Sequence, residues 1–151
     1  MKISAKSDYA VRAAAELAAA GPGRLVKGEE LARVQGIPLE FLENILRELR
    51  VAGLVVAQRG IEGGYALARP AAEITVAEVL EVVEGPLAGV QRTRLEELEY
   101  PGAAARLADV WLAVQTSIRG VLESVTLADL AAGLLPETVS SPPRPPFAPA
   151  P

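Results

Sequence analysis

The chain contains no cysteine and no histidine. The first absence excludes disulfides, thiolate nucleophiles, cysteine-based zinc sites and iron–sulfur ligation by cysteine. The second excludes a histidine general base, and with it every Ser–His or Cys–His relay. Carboxylates could still hold a hard cation, but no ligand loop for one is visible. Aromatic residues are scarce, at 4% of the chain. No apolar run approaches the roughly 18 residues of a membrane span. The N-terminus lacks the apolar core of a signal peptide. These absences predict a soluble, cytoplasmic protein that is not an enzyme, carries no cofactor and has no membrane partner.

What is present favours helices. Apolar residues make up 50% of the 151 positions, and Ala and Leu supply much of that share. The formal net charge of −4 is unevenly spread: residues 1–70 carry +2 and residues 71–151 carry −6. A mildly basic front half suits contact with a polyanion.

Residues 4–20 read as a first helix, capped by Ser4 or Ser7, with Asp8 in its first turn and Gly21-Pro22-Gly23 at its end. Residues 28–35 form a short second helix stopped by Gly36. Residues 38–52 form a third, opened by Pro38 and closed by Gly53. The period then changes to that of strands. "LVVAQ" (54–58) and "GYALA" (64–68) flank a Gly-rich turn, which reads as a hairpin. Thr75 opens a further helix, with Glu78 placed to complete a capping box, and the helix runs to about Glu84. A charged connector follows, then a long helix over about 103–124. Its apolar residues Leu107, Trp111, Val114, Ile118, Val121 and Val125 are spaced 4, 3, 4, 3, 4, as in a dimerising heptad seam. Thr126 opens a last short helix, and seven prolines from Pro136 onward read as a disordered tail.

The third helix has two faces. Leu42, Ile45, Leu46 and Leu49 lie on one, with Phe41 at its margin. Glu40, Glu43, Asn44 and Arg47 lie on the other, spaced i, i+3, i+4, i+7. Carboxylate, amide and guanidinium groups suit base edges in a major groove. A short helix precedes this one by the tight turn "QGIP" (35–38), as in helix-turn-helix pairs. In "RGIEGGYALARP" (59–70), Gly60, Gly63 and Gly64 permit close backbone approach. The stretch lacks Gly-Lys-Ser/Thr and joins strand to strand, so it does not fit a nucleotide loop. As a wing it fits: Arg59 can enter a minor groove. Three helices followed at once by a hairpin give the order of a winged helix-turn-helix.

The stretches "KSDYAVRA" (6–13), "QGIPLEFLENILRELRVAGLV" (35–55), "RGIEGGYALARP" (59–70), "ITVAEVLEVVEGPL" (74–87) and "VTLADL" (125–130) resemble the Rrf2 family of bacterial winged-helix transcription regulators. The resemblance covers roughly residues 1–135. It implies a mainly α fold: a winged helix-turn-helix domain with a two-stranded wing, plus a long C-terminal dimerisation helix. The expected division is residues 1–85 for the DNA-binding domain, 86–103 for a connector or sensor loop, 104–135 for the dimerisation and terminal helices, and 136–151 for the tail. It implies a sequence-specific regulator, read here as a repressor, that binds a double-stranded, partly palindromic DNA operator as a homodimer. By that resemblance Glu43 and Asn44 would read bases, Arg59 would enter the minor groove, and Lys6, Tyr9 and the wing glycines would approach phosphates. Tyr65 belongs to the same wing.

Three departures stand out. Many relatives have a small hydroxyl residue where this chain has Glu40, and a carboxylate cannot donate to phosphate. Lys27-Gly28 stands where relatives usually have a Ser or Thr cap. Many members place three cysteines in the connector to hold an iron–sulfur cluster; here it reads "AGVQRTRLEELEYPGAAA". The expectation is therefore a cluster-free member, signalled by a small-molecule effector, by a partner protein, or by nothing. A cavity near Tyr100 and Trp111 is the candidate place for an effector, with a plain core role for Trp111 as the alternative. The alternative for the whole chain is a protein-interaction module that keeps the fold and acts through a partner, with the "PPRPP" of the tail as a docking segment.

Overall fold

Helix α1 (Ala5–Ala20) begins where the Ser4 hydroxyl accepts from the Ser7 backbone N–H at 3.0 Å. Of the two candidate caps only Ser4 acts as one; Ser7 is buried and its own hydroxyl donates to Glu84 Oε1 at 2.8 Å. The computed structural model describes residues 3–87 and 97–140. Helix α2 (Gly28–Gln35) starts at Lys27, whose side chain provides no cap, and stops at Gly36 in the left-handed conformation, φ 62°. Helix α3 (Leu39–Val51) follows after three residues, Gly36, Ile37 and Pro38.

The hairpin consists of β1 (Val55–Gln58) and β2 (Gly64–Leu67), paired antiparallel from Val55↔Leu67 to Gln58↔Gly64. A third segment joins it. Val26 N–H donates to the Tyr65 carbonyl and Tyr65 N–H donates to the Val26 carbonyl, both at 2.8 Å. Helix α4 (Val76–Glu84) begins at Thr75, whose hydroxyl accepts from Glu78 N–H at 3.2 Å. The expected capping box is half formed, because the Glu78 carboxylate accepts from Arg69 instead.

The long helix, α5 (Leu107–Ser124), starts later than about 103. Gly102–Ala104 make a 3₁₀ turn, and no side chain caps the helix at Arg106. Helix α6 (Leu127–Ala132) has a complete capping box: Thr126 Oγ1 accepts from Asp129 N–H, and Asp129 accepts from Thr126 N–H. A short helix α7 (Glu137–Ser140) occupies the start of what reads in sequence as a disordered tail. Residues 88–96 of the connector and 141–151 of the tail lie outside the described residues.

One apolar core joins these elements. Leu17 of α1, Leu31 of α2, Leu42, Ile45, Leu46 and Leu49 of α3, Val79 of α4 and Leu127 of α6 are all buried in it. Each such side chain contributes roughly 1.5–3 kcal/mol on burial. Val125 also turns inward: it is extended, 6% exposed, and its carbonyl accepts from Val76 N–H at 2.9 Å. That corrects the seam assignment at this position. The helix ends at Ser124, so the heptad spacing runs one residue past the helix that carries it, and Val125 belongs to the protomer's core.

Candidate nucleic-acid interface

The buried stripe of α3 leaves its opposite face outside. Glu40, Glu43, Asn44 and Arg47 are exposed, as the 3.6-residue period requires. The wing folds back beside that face. Together they border an open groove of about 550 Å³, lined by Glu40, Glu43, Asn44 and Arg47 from the helix and by Arg59, Gly64 and Tyr65 from the wing. Arg50, Ala57 and Gln58 line it too. Sequence reasoning left out Arg50 and Gln58. Arg50 continues the Arg47 row at i+3, which is the signal that could have found it.

Several of the charges are already engaged. Arg47 Nη2 donates to Asn44 Oδ1 at 2.7 Å, one turn apart on α3. Lys6 Nζ lies 2.9 Å from Glu48 Oε2, tying α1 to α3. Half-exposed pairs of this kind are worth little in stability and exchange readily for phosphate partners. Tyr9 is half-buried, with Phe41 edge-on at 5.7 Å between ring centres. Arg59 stands exposed at the start of the bend.

The three glycines of the bend have different tasks. Gly63 is buried, and a Cβ on it would lie 2.1 Å from the Gln58 carbonyl oxygen. A Cβ on Gly64, whose φ is 154°, would lie 2.7 Å from the Val26 carbonyl oxygen. The close approach these two glycines permit is therefore made to this chain's own backbone. Gly60, φ 105°, has open space around its Cβ position and is exposed. Tyr65 is half-buried and lies against Gly28 at the start of α2, so it supports the wing from behind as well as lining the groove.

Away from the groove, α5 has an outward apolar row. Val110, Trp111, Val114 and Val121 are 37–51% exposed. Leu107 and Ile118 of the same seam are half-buried. Val110, Val114 and Ile118 line a shallow, mostly apolar depression. On the inner side, Arg119 Nη2 donates to Glu81 Oε1 of α4 at 2.6 Å, and Nη1 donates to Glu123 Oε1 at 2.9 Å. Trp111 is thus a surface residue of the protomer, and Tyr100 is half-buried. Among the described residues no helix is long and apolar enough to cross a membrane.

Residues 3–133 match the model of the Rrf2 family, described as an iron-dependent transcriptional regulator. The chain is 52% identical over 140 residues to a Mycobacterium tuberculosis protein named as an HTH-type transcriptional regulator, spanning 93% of this chain and 87% of that one. It is 36% identical to the HTH-type transcriptional regulator CymR of Bacillus subtilis, over 87% of this chain and 90% of the relative. Among solved structures, CymR, titled the global cysteine regulator of B. subtilis, superimposes with a TM-score of 0.76 at 33% identity, covering 88% of this chain and 98% of that one. The structure titled T. potens IscR superimposes with a TM-score of 0.72 at 33% identity, covering 94% and 93%.

Proposed function

This chain belongs to the Rrf2 family of winged-helix transcriptional regulators, and we propose that it acts as a homodimeric repressor on a partly palindromic operator, without an iron–sulfur cluster. The observation that carries the reading is the groove between α3 and the wing. It brings Glu43, Asn44 and Arg47 to one wall and Arg59 to the other. With α3 in a major groove, Asn44 suits adenine, Arg47 suits guanine or phosphate, and Glu43 suits cytosine N4. Arg59 then faces the adjoining minor groove, where narrow A·T-rich segments attract a guanidinium. Glu40 adds a carboxylate that cannot donate to phosphate. It selects instead for a base or water donor.

The homodimer reading is supported by the outward apolar row of α5. Two copies joined there would present two α3 helices, and the operator would mirror their two-fold axis. The cluster-free reading rests on the donor set. The whole chain has no thiolate and no imidazole. Among the described residues no three Asp or Glu side chains gather as a metal cage. The residues do not fit an iron–sulfur cluster.

Titration of fluorescent duplexes from the protein's own promoter region tests this. Specific binding should weaken by orders of magnitude between about 50 and 200 mM salt, as expected for several phosphate contacts. Arg59→Ala should cost about 1–3 kcal/mol of that affinity. Equal affinity for every duplex, or none for any, refutes the reading.

One observation favours a second reading, a module that keeps the fold and works through a partner protein. Two carboxylates stand on the reading face, while Arg47 and Lys6 are engaged with Asn44 and Glu48. Capture of one stoichiometric protein, together with failure to select any duplex from a random pool, would decide for it.

A further inference from the structure

Arg12 stands on α1 where that helix meets the end of α2. Its Nε donates to Gln35 Oε1 at 2.9 Å, its Nη2 donates to the Gln35 carbonyl, and its Nη1 donates to Asp8 Oδ2 at 2.9 Å. Gln35 is the last residue of α2, so its carbonyl is one of the acceptors a helix end leaves without an internal partner. A cation there also complements the helix dipole. The Gln35 amide is itself held, donating to Glu16 Oε1 of α1 at 2.5 Å. The Arg12 guanidinium carbon lies over the Tyr9 ring, 5.3 Å from its centre. Tyr9 meets Phe41, in the first turns of α3, at an interplanar angle of 86°.

One guanidinium therefore reaches both sides of the turn that joins α2 to α3. It grips the last carbonyl before the turn directly, and it braces the first aromatic after the turn through Tyr9. On its solvent side this end of α3 has few other anchors. Pro38, Leu39, Glu40 and Phe41 are all exposed, and Ile37 is the one buried residue of the turn. Buried Leu42 pins the inner side of that first turn, and Ile45, Leu46 and Leu49 hold the helix further along; the outer side, with Glu40 and Phe41, is left to these ties.

We propose that Arg12 is a positioning residue for base reading: it sets the angle at which the leading end of α3, with Glu40 and Glu43, is presented, and it does so without touching DNA. The inference rests on the DNA-reading function argued above. Its consequence is selective. Base-edge contacts demand geometry, whereas phosphate contacts tolerate its loss. A loosened α3 should therefore lose discrimination before it loses general affinity. The role also needs a planar fork that can donate in two directions and stack on a ring, which a lysine ammonium does not supply.

The test uses the full chain and a duplex that the wild type selects from a random pool, beside a scrambled duplex, over a series of salt concentrations. Arg12→Ala should lower the ratio of specific to non-specific affinity by about tenfold, the scale of one lost charge-assisted contact. The salt slope of non-specific binding should stay at its wild-type value. Arg12→Lys should fail to restore the ratio, and Gln35→Ala should reproduce part of the loss. Thr126→Ala, which removes the α6 cap, controls for mere destabilisation and should leave the ratio unchanged. A slope that falls by about one with the ratio intact would make Arg12 a phosphate ligand and overturn the proposal. So would rescue by lysine, or an unchanged ratio in Arg12→Ala. A wild-type chain that selects no duplex overturns the DNA-reading premise and this inference with it, and that failure is recognisable because no substitution is involved.

Discussion

Gly63→Ala should damage the wing from within. The added Cβ would lie 2.1 Å from the Gln58 carbonyl oxygen and 2.8 Å from the Arg59 carbonyl carbon. Both obstacles are backbone, so no side-chain rotation relieves the overlap. The bend must shift instead. That shift strains the Gly63 N–H bond to the Gly60 carbonyl, 3.0 Å long, and the final Gln58↔Gly64 pair of the hairpin. Overpacking costs about 1–3 kcal/mol, and each weakened hydrogen bond adds about 0.5–1.5 kcal/mol. The protein can limit the damage by opening the wing while the helices stay folded. The expected loss of unfolding free energy is therefore about 2–3 kcal/mol, measured by urea titration. Amide exchange should also quicken at Tyr65, whose N–H bonds the Val26 carbonyl. Arg59 moves with the bend, so duplex affinity should fall alongside. Gly60→Ala is the comparison. It meets no atom within 4 Å and carries only the strain of φ 105°, about 1–3 kcal/mol, with no shift imposed on Gln58. If Gly63→Ala stays within about 0.5 kcal/mol of wild type and binds duplex normally, the steric reasoning is wrong.

Two other perturbations address other parts of the molecule. Val114→Asp puts a charge on the outward row of α5, where Val114 is 45% exposed; dimer dissociation, followed by sedimentation, should become at least about a hundredfold easier, near 3 kcal/mol. Unchanged association would place the dimer contact elsewhere. Glu84 accepts from the Ser4 and Ser7 hydroxyls, and these bonds hold its carboxyl below the usual carboxylate range against a slight opposing effect of burial. A depressed folded value means the stabilisation is fully present above the unfolded carboxylate pKa and is lost as pH falls through roughly 4 and below. Glu84→Gln should therefore flatten the acid limb of stability against pH; an acid limb as steep as wild type would contradict this.

Much of the fold was legible because its signals are local. Ser4, Thr75 and Thr126 each precede an acidic residue in the following turn and each caps a helix. Gly36 and Gly85 end helices where positive φ is needed. The two faces of α3 follow from its period alone. What was not legible depends on partners distant in sequence. The bridge from Val26 to Tyr65 is a single rung, too short to leave an alternating pattern. Glu78 had a local partner in Thr75 but pairs with Arg69, which only the fold brings near. Val125 satisfies the heptad spacing, yet the chain leaves the helix there to meet Val76. At the candidate site, the residue types and the facing elements were readable. The pairing of Lys6 with Glu48, and the inward use of Gly63 and Gly64, depend on segments that only the fold brings together.

The strip of chain after α5 has a consequence for how the protein is made. Val76 N–H bonds the Val125 carbonyl, Leu127 N–H bonds the Ile74 carbonyl, and Leu127 is fully buried in the core shared by α1 and α3. Residues some fifty positions apart thus close the same wall. During synthesis, the first 85 residues emerge with that wall missing and apolar surface open to water. Closure waits for residue 127 and must bring the intervening chain into a loop first. The first 85 residues and the long helix therefore mature together: a ribosome stalled in α5 would hold a chain whose α1 lacks its α6 cover, exposed to chaperones and proteases until α6 arrives.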